Sequence, residues 1–479
     1  MKPTKVEPKP LPAPLEHRTR FLLLILVTLC LMINWANILT FNFSIICMKG
    51  VNDTTDPNWG IQLSNNAKSE AMAVVAAGAL VANLPIVTLI NMYGPRYMFT
   101  AVGLFGAIAT ACVPLALRTG WYWFLFIRVL QGIAFAGDMA TFGSFMNYWT
   151  YFKQNAFFTS TLCVYVQLAP VFTNPISGLI CGSSVGWPGI YYVHAAVSAM
   201  LFVIFFFTYR NFPDEHPRVS HIERGKIARG RELGIDYTKR IPYKAILSSP
   251  AAWAVFIGGL GNFAGINLLY QFSPTYLNKN QKVQGYKVLS TGFVAALPPL
   301  GMATMKELSG LSNDRIRCIT ETVKTKIYNS ISFFSMALFL CILSFIPANS
   351  GSIALIIMTI GATLQGFNTG GFYKNGSVIA GPYAPFVMGQ ISTAMTITML
   401  AIPLIVNPLT PNNTPEEWAL AFYAVAAIMV VCNILYCFMA SGEQQYWAKS
   451  EYWRKIDADK VDAELNKHSK FRNDIVSAA

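Results

Sequence analysis

Long apolar stretches separated by short charged segments constrain the fold of this chain more than any other feature. A membrane-spanning helix needs about 20 mostly apolar residues. Twelve stretches qualify: 21–47, 70–91, 97–117, 121–148, 157–181, 188–209, 249–273, 288–309, 327–347, 352–374, 382–406 and 417–440. Only 12% of the 479 residues are charged, against roughly 25% in soluble proteins. Soluble cores stop growing at about 250–300 residues, so the missing charged surface must face lipid.

The basic residues between these stretches predict an orientation. The longest internal polar segment, 210–248, separates two sets of six spans and carries Arg210, Arg218, Arg224, Lys226, Arg229, Arg231, Lys239, Arg240 and Lys244. Cytoplasmic loops are enriched in Lys and Arg, so we expect this linker and both termini in the cytosol. Lys279, Lys282 and Lys287 oppose the trend. The predicted segments are 1–20, 21–209, 210–248, 249–440 and 441–479.

The net charge of +13 does not predict nucleic-acid binding, because the basic residues form no stripe with aromatic platforms. The nine cysteines show no metal-binding spacing, so we expect no metal and no cofactor. Cys47 and Cys181 fall near outer span ends, and a disulfide between them is possible, but we expect them to be unpaired because sequence alone cannot fix the required geometry.

Glycosylation sequons provide a test of this topology. Asn52 and Asn412 fall in predicted outer loops and are expected glycosylation sites. Asn42 would lie in the first span and Asn375 on the inner side, so we expect both to be unmodified.

Several motifs occur in the order typical of one transporter family. Asn42-Phe43-Ser44 lies in the first span and Arg128-Val129-Leu130-Gln131-Gly132 in the fourth. The spaced set Gly366, Gly371, Asn375 and Tyr383 lies near spans 10 and 11, and Glu416-Glu417-Trp418 precedes the last. With these motifs the chain resembles the anion/cation symporters of the major facilitator superfamily, the relatives of sialin, vesicular glutamate transporters and sodium/phosphate cotransporters. The resemblance covers nearly the whole chain. It implies an all-α fold of two six-helix halves related by pseudo-twofold symmetry.

The chain departs from that family in its charged centre. The resemblance would place an arginine at Thr40, a histidine at Met72 and a glutamate at Phe135. Ion-coupled transport of a dicarboxylate or phosphate therefore cannot be carried over directly.

Three ionisable residues remain for discussion within the spans, each costing at least about 2.5–3.5 kcal/mol at the bilayer centre. Arg128 could bind an anionic solute through its planar guanidinium, or it could hold span 4 in place by bonding backbone carbonyls. Asp138 could be a protonatable coupling group or form a salt bridge at the inner rim. Lys374 could reach the interface by snorkelling, or pair with Asp138 as an inner gate.

Uncharged polar residues on spans 1, 4, 7 and 10 could complete a substrate site, although such residues also act as helix–helix contacts. The candidates are Asn37, Thr40, Asn42, Gln131, Asn267, Tyr270, Gln271, Asn368 and Tyr373.

From these features we expect a multi-pass protein of the plasma membrane or of a vesicular or lysosomal membrane. Its expected function is secondary active transport of a small anion by alternating access, with a proton or sodium ion as the coupling ion. Two alternatives stay open: an uncoupled facilitator of a neutral polar solute, and a non-transporting sensor on a transporter frame. Five scattered histidines and no catalytic spacing argue against an enzyme.

Overall fold

The computed structural model describes residues 17–48, 60, 65–228, 241–272, 276, 296–347, 350–412, 414–449 and 451–452, and the described residues contain no strand. The helices up to the linker are α1 (Thr19–Cys47), α2 (Asn65–Tyr93), α3 (Pro95–Thr119), α4 (Trp121–Phe135), α5 (Asp138–Trp149), α6 (Asn155–Cys163), α7 (Tyr165–Cys181) and α8 (Trp187–Thr208). Those that follow are α9 (His221–Ala228), α10 (Tyr243–Leu247), α11 (Pro250–Asn267), α12 (Leu297–Arg315), α13 (Glu321–Leu343), α14 (Gly351–Gln365), α15 (Phe372–Ala380), α16 (Ala384–Leu409) and α17 (Pro415–Met439).

Among the described residues, ten segments are long and apolar enough to cross a membrane. One of them, Gly351–Leu409, contains two crossings, because Gly381 adopts a φ of +48° between α15 and α16 and reverses the chain. The more polar α12 completes the set of twelve. It runs to Arg315, six residues beyond the predicted end of the eighth span.

Three of the predicted spans are interrupted rather than continuous. The fourth is broken at Ala136 and Gly137 into α4 and α5, and the fifth at Val164 into α6 and α7. The tenth passes from α14 through a 3-10 turn, Gly366–Gly370, into α15. It therefore ends at Ala380 instead of residue 374. Such breaks free backbone groups, which a membrane protein tolerates only where the segment is buried in protein or lines a cavity.

The linker is docked against the first helix. Glu223 of α9 accepts hydrogen bonds from the backbone N–H groups of Thr19 (3.2 Å) and Arg20 (3.0 Å) at the start of α1. A carboxylate at a helix N-terminus satisfies free N–H donors and the helix dipole. We call this end of the bundle the linker side and the opposite end the far side.

The two halves meet along a seam. Across it, α16 packs against α2 and α5, and α12 packs against α6 and α7. The backbones approach closely at Gly143 of α5, where a Cβ would collide with the carbonyl oxygen of Ala384 at the start of α16. These close contacts pack the two halves together at the linker side.

A disulfide joins Cys47 at the end of α1 to Cys181 at the end of α7, with 5.9 Å between their Cα atoms. The expectation that these cysteines stay unpaired is therefore wrong. The two helices are neighbours along their length, which brings residues 134 positions apart together in a way that sequence alone did not specify.

Asn412 is exposed before α17 and accessible to modification, whereas Asn375 is fully buried. Asn42 is half-buried within α1. Asn52, the segment 1–16 and the tail beyond residue 452 lie outside the described residues, as do Lys279, Lys282 and Lys287.

Candidate functional site

Lys306 of α12 is a cation completely buried at the seam between the halves. Its ammonium donates to the backbone carbonyl of Cys163 in α6, at 3.0 Å, and lies 5.3 Å from the ring centre of Tyr373 in α15. Among the described residues no carboxylate lies within 4 Å of it. An ammonium has three donors, so Lys306 keeps unused hydrogen-bonding capacity in a place where desolvating a charge is costly.

Buried polar side chains connect to this lysine through Tyr373, which interacts electrostatically with Tyr165 and Tyr270. The hydroxyls of Tyr165, Tyr270 and Tyr373 and the carbonyl oxygen of the Gln167 side chain have no partner in full hydrogen-bond geometry among the described residues, and Tyr270 and Gln167 are close enough to interact with each other. Tyr165 and Gln167 belong to the first half, and Tyr270 and Tyr373 to the second. Most buried polar groups in proteins are hydrogen-bonded, so several unpartnered groups at one place need an explanation such as bound water or ligand. We call Lys306, Tyr165, Gln167, Tyr270 and Tyr373 the central cluster.

A second group of buried amides lies in the second half. The Asn368 and Gln365 side-chain amides donate to the Asn262 side-chain oxygen, at 2.6 and 3.2 Å. The Asn262 amide nitrogen and the side-chain oxygens of Gln365 and Asn368 have no partner among the described residues. Asn368 was an expected site residue, and the structure joins it to two residues that the sequence analysis did not select.

Arg128 is only 1% exposed and bonds to protein atoms of three helices. It donates to the carbonyls of Ala71 in α2 (3.3 Å) and Ile38 in α1 (3.3 Å), and to the side chain of Gln131 in α4 (2.8 Å). Its guanidinium also lies 4.8 Å from the ring centre of Phe41. This arrangement is the one expected for an arginine that holds α4 against its neighbours.

Asp138 is the first residue of α5 and is completely buried at the break that follows α4. One carboxylate oxygen accepts from the Asn34 amide at 2.7 Å, and the other has no partner among the described residues. Tyr165 is close enough to Asp138 for the two to interact electrostatically. A buried carboxylate with one neutral donor and no cation is a group that can hold a proton.

The predicted pairing of Asp138 with Lys374 is not present in this structure. Lys374 donates to Glu321 of α13 at 2.5 Å and to Asn313 of α12 at 2.6 Å. Lys324 is also ion-paired with Glu321. Lys374 is 4% exposed, and its ammonium reaches Glu321 in the first turn of α13, whose side chain is 38% exposed. Asp138 and Lys374 were predicted to lie at similar depths. Contact between two side chains also depends on the direction in which each one points from its helix.

Three of the remaining predicted site residues have hydrogen-bond partners outside the central cluster. The Thr40 hydroxyl donates to its own helix at Asn37 O (2.8 Å), and the Asn267 amide donates to Thr398 (2.9 Å). Gln131 donates to the Asn37 carbonyl and to Thr110, at 3.2 and 3.0 Å. The structure places Tyr373 beside Lys306 and Tyr270 within electrostatic reach of Tyr373. The side chain of Gln271 is outside the described set.

Carboxylates of α12 fasten the linker side of the seam. Asp314 accepts from the backbone N–H groups of Ala156 (3.1 Å) and Phe157 (2.9 Å) in the first turn of α6. Glu307 accepts from the hydroxyls of Ser160 (3.3 Å) and Thr161 (3.2 Å) in the same helix. Lys306 and Glu307 were not among the residues predicted from sequence. They could have been selected from the sequence, because two adjacent charged residues lie inside the predicted span 288–309 and such charges are rare in spans without a functional reason.

Two broken-helix bundles, a buried polar cluster at their seam and a closed linker side together define a membrane solute transporter. The profile of the Major Facilitator Superfamily matches residues 24–403, and the chain belongs to this family.

Curated relatives agree with this assignment. The chain is 29% identical to human sialin over 74% of this chain and 72% of sialin. It is 26% identical to human sodium-dependent phosphate transport protein 1, over 83% of this chain and 84% of that protein. It is 25% identical to vesicular glutamate transporter 3 of Danio rerio, over 78% and 64% respectively.

Among solved structures, the proton:xylose symporter XylE bound to 6-bromo-6-deoxy-D-glucose superposes with a TM-score of 0.66 at 12% identity. The match covers 89% of this chain and 97% of that one. It confirms the expected fold. The relatives are transporters, as the sequence predicted, and not enzymes.

Proposed function

We propose that this protein is a secondary active transporter that moves a small organic or inorganic anion by alternating access, with Lys306 as the principal anion-binding group. The supporting observation is the buried Lys306 ammonium, which has free donors and no carboxylate within 4 Å among the described residues. An anionic solute would supply the missing counter-charge. The hydroxyls of Tyr165, Tyr270 and Tyr373 would bind the rest of its polar surface.

The relatives favour an anion as the solute. One is named as a phosphate transport protein and another as a glutamate transporter. Arg128 does not take the binding role in this proposal, because its guanidinium is held by backbone carbonyls.

The first test is uptake of phosphate, glutamate and uncharged sugars into proteoliposomes. We expect Lys306→Gln to lower anion uptake about 10- to 100-fold, since a charge-assisted hydrogen bond contributes about 1.5–3 kcal/mol. Lys306→Arg should retain part of the activity. Lys326→Gln, which removes a half-buried lysine of α13, is the matched control.

Unchanged anion uptake by a folded Lys306→Gln protein would contradict the proposal. Uptake of uncharged sugars alone, without dependence on pH or sodium, would instead support the facilitator. Binding of solute without any uptake would support the sensor.

We further propose that Asp138 carries the coupling proton. Its unpartnered oxygen and its position at the α4–α5 break support this role. Asp138→Asn should abolish accumulation driven by a pH gradient while anion exchange at equal pH continues, because the amide keeps the size of the side chain and cannot release a proton. Glu416→Gln, at an exposed position of α17, is the control. If the Asn variant still accumulates substrate against its gradient, Asp138 is not the coupling group.

We propose that the linker side faces the cytosol, in a plasma, vesicular or lysosomal membrane. The support is the basic linker, in which α9 packs against the start of α1 through Glu223.

A further inference from the structure

A pocket of about 670 Å³ opens on the linker side at the outer edge of the seam. Phe21, Lys153, Gln154 and Phe157 contribute its wall from the first half, and Leu311, Asp314, Arg315 and Arg317 from the second. It is separate from the central cluster and shares no residue with it.

The charge of this pocket is strongly positive. Lys153, Arg315 and Arg317 are exposed on its wall and have no ion-pair or hydrogen-bond partner among the described residues. Its one carboxylate, Asp314, already accepts two backbone N–H groups of α6. Three free cations around one concave site form a recognition surface for a phosphorylated group.

Behind the wall lies a fourth cation. Arg20 is 6% exposed, and its guanidinium donates to the side-chain oxygen of Gln154 at 2.9 Å. Its other two nitrogens, Nε and Nη1, have no partner among the described residues. Glu223 interacts electrostatically with this buried arginine and offsets part of its charge, so the positive charge of the pocket comes chiefly from Lys153, Arg315 and Arg317.

The rest of the wall is apolar. Phe21, Phe157 and Leu311 line the same space as the cations, and Leu311 is exposed at the end of a membrane-spanning helix. A site with cations on one part and hydrocarbon on another fits an amphiphile at the membrane surface better than a free inorganic anion. Basic pockets between transmembrane helices on the cytoplasmic side are typical lipid headgroup sites.

We propose that this pocket binds the phosphorylated headgroup of an anionic phospholipid. The first carbons of its acyl chain would lie against Phe21, Phe157 and Leu311. Because both halves build the pocket, the bound lipid stabilises the packing of α6 against α12. It thereby favours the conformation that is closed on the linker side.

The test measures binding rather than transport, so its outcome is independent of the proposed substrate. The full chain is placed in nanodiscs of phosphatidylcholine with or without phosphatidylinositol 4,5-bisphosphate, and lipid retention is followed by native mass spectrometry. We expect Lys153→Ala/Arg315→Ala/Arg317→Ala to weaken retention on the order of a hundredfold, at about fivefold for each cation. The control, Lys226→Ala/Lys244→Ala/Lys449→Ala, removes the same charge from exposed linker-side positions outside the pocket and should retain the lipid.

A second variant leaves Arg315, the last residue of α12, in place. Leu311→Glu places a carboxylate inside the pocket and should also weaken retention. Equal retention by the pocket and control variants would overturn the proposal, as would equal loss in both. Binding of soluble inositol trisphosphate as tight as that of the lipid would show that the site recognises a free phosphate compound and would overturn the lipid assignment.

Discussion

At the scale of single residues, the structure separates two buried cations that sequence reasoning would treat alike. The donors of Arg128 bond backbone carbonyls of α1 and α2 and the side chain of Gln131. Lys306 has one carbonyl partner and lies at the seam. A cation whose donors are occupied by its own protein stabilises helix packing, whereas one with free donors between two moving bodies can bind a solute.

Arg128 should therefore be needed for folding. Arg128→Lys loses the planar fork and should destabilise the protein by about 2–4 kcal/mol, at roughly 1 kcal/mol for each of its hydrogen bonds within a membrane. Thermal unfolding in detergent measures this loss. Arg118→Lys, at an exposed position near the end of α3, serves as the control. An Arg128→Lys protein that melts like the native protein and has lost uptake would assign Arg128 to the substrate instead.

At the scale of helices, the contact of α12 with α6 closes the linker side. The Asp314 carboxylate satisfies two N–H groups at the start of α6, across the seam. The helix dipole strengthens this contact. The contact must break whenever the halves separate on this side.

Asp314→Asn should weaken that closure, because an amide offers one acceptor oxygen for one of the two N–H groups and its NH₂ group would face the other donor. Cys163, buried at the end of α6, is a native reporter of opening. If the substitution destabilises the closed state by about 1.4 kcal/mol relative to the open state, alkylation of Cys163 by a linker-side thiol reagent should be about tenfold faster. Exposed Cys318 supplies the reference rate. Asp214→Asn, on an exposed linker carboxylate, should leave Cys163 protected, and the same protection in Asp314→Asn would argue against this gate.

Helix number and order could be predicted from sequence, because the cost of exposing polar backbone to lipid makes long apolar stretches unambiguous. The breaks at Ala136 and after Gln365 could not, because hydropathy continues smoothly across them. Lys306 could not be placed from the length of the eighth stretch, because an apolar stretch of spanning length does not show which way a charge within it faces. The separation of Lys374 from Asp138 depends on helix rotation, which span boundaries do not encode.

At the scale of the whole molecule, cysteines on opposite ends of the bundle test the topology. Cys47 and Cys181 are paired at the far side, and Cys318 is exposed at the linker side. A membrane-impermeant maleimide should label Cys318 only from the cytosolic face. Cys47 should react only from the other face, and only after reduction, which should also destabilise the protein by roughly 2–4 kcal/mol. Cys318→Ser identifies the linker-side signal. Labelling of Cys47 without reductant, or of both sites from one face, would contradict the structure or the proposed orientation.

The cystine at the far side also bears on how the protein is made. Such a bond persists in oxidising compartments and is rare in the cytosol. With the linker side in the cytosol, as proposed, the far ends of α1 and α7 would meet a thiol-oxidising catalyst during biogenesis, in the lumen of the endoplasmic reticulum or an equivalent space. The pairing joins the first span to the fifth, so it can form only after most of the first half has been inserted. Once formed, it holds α1 and α7 together in their native packing.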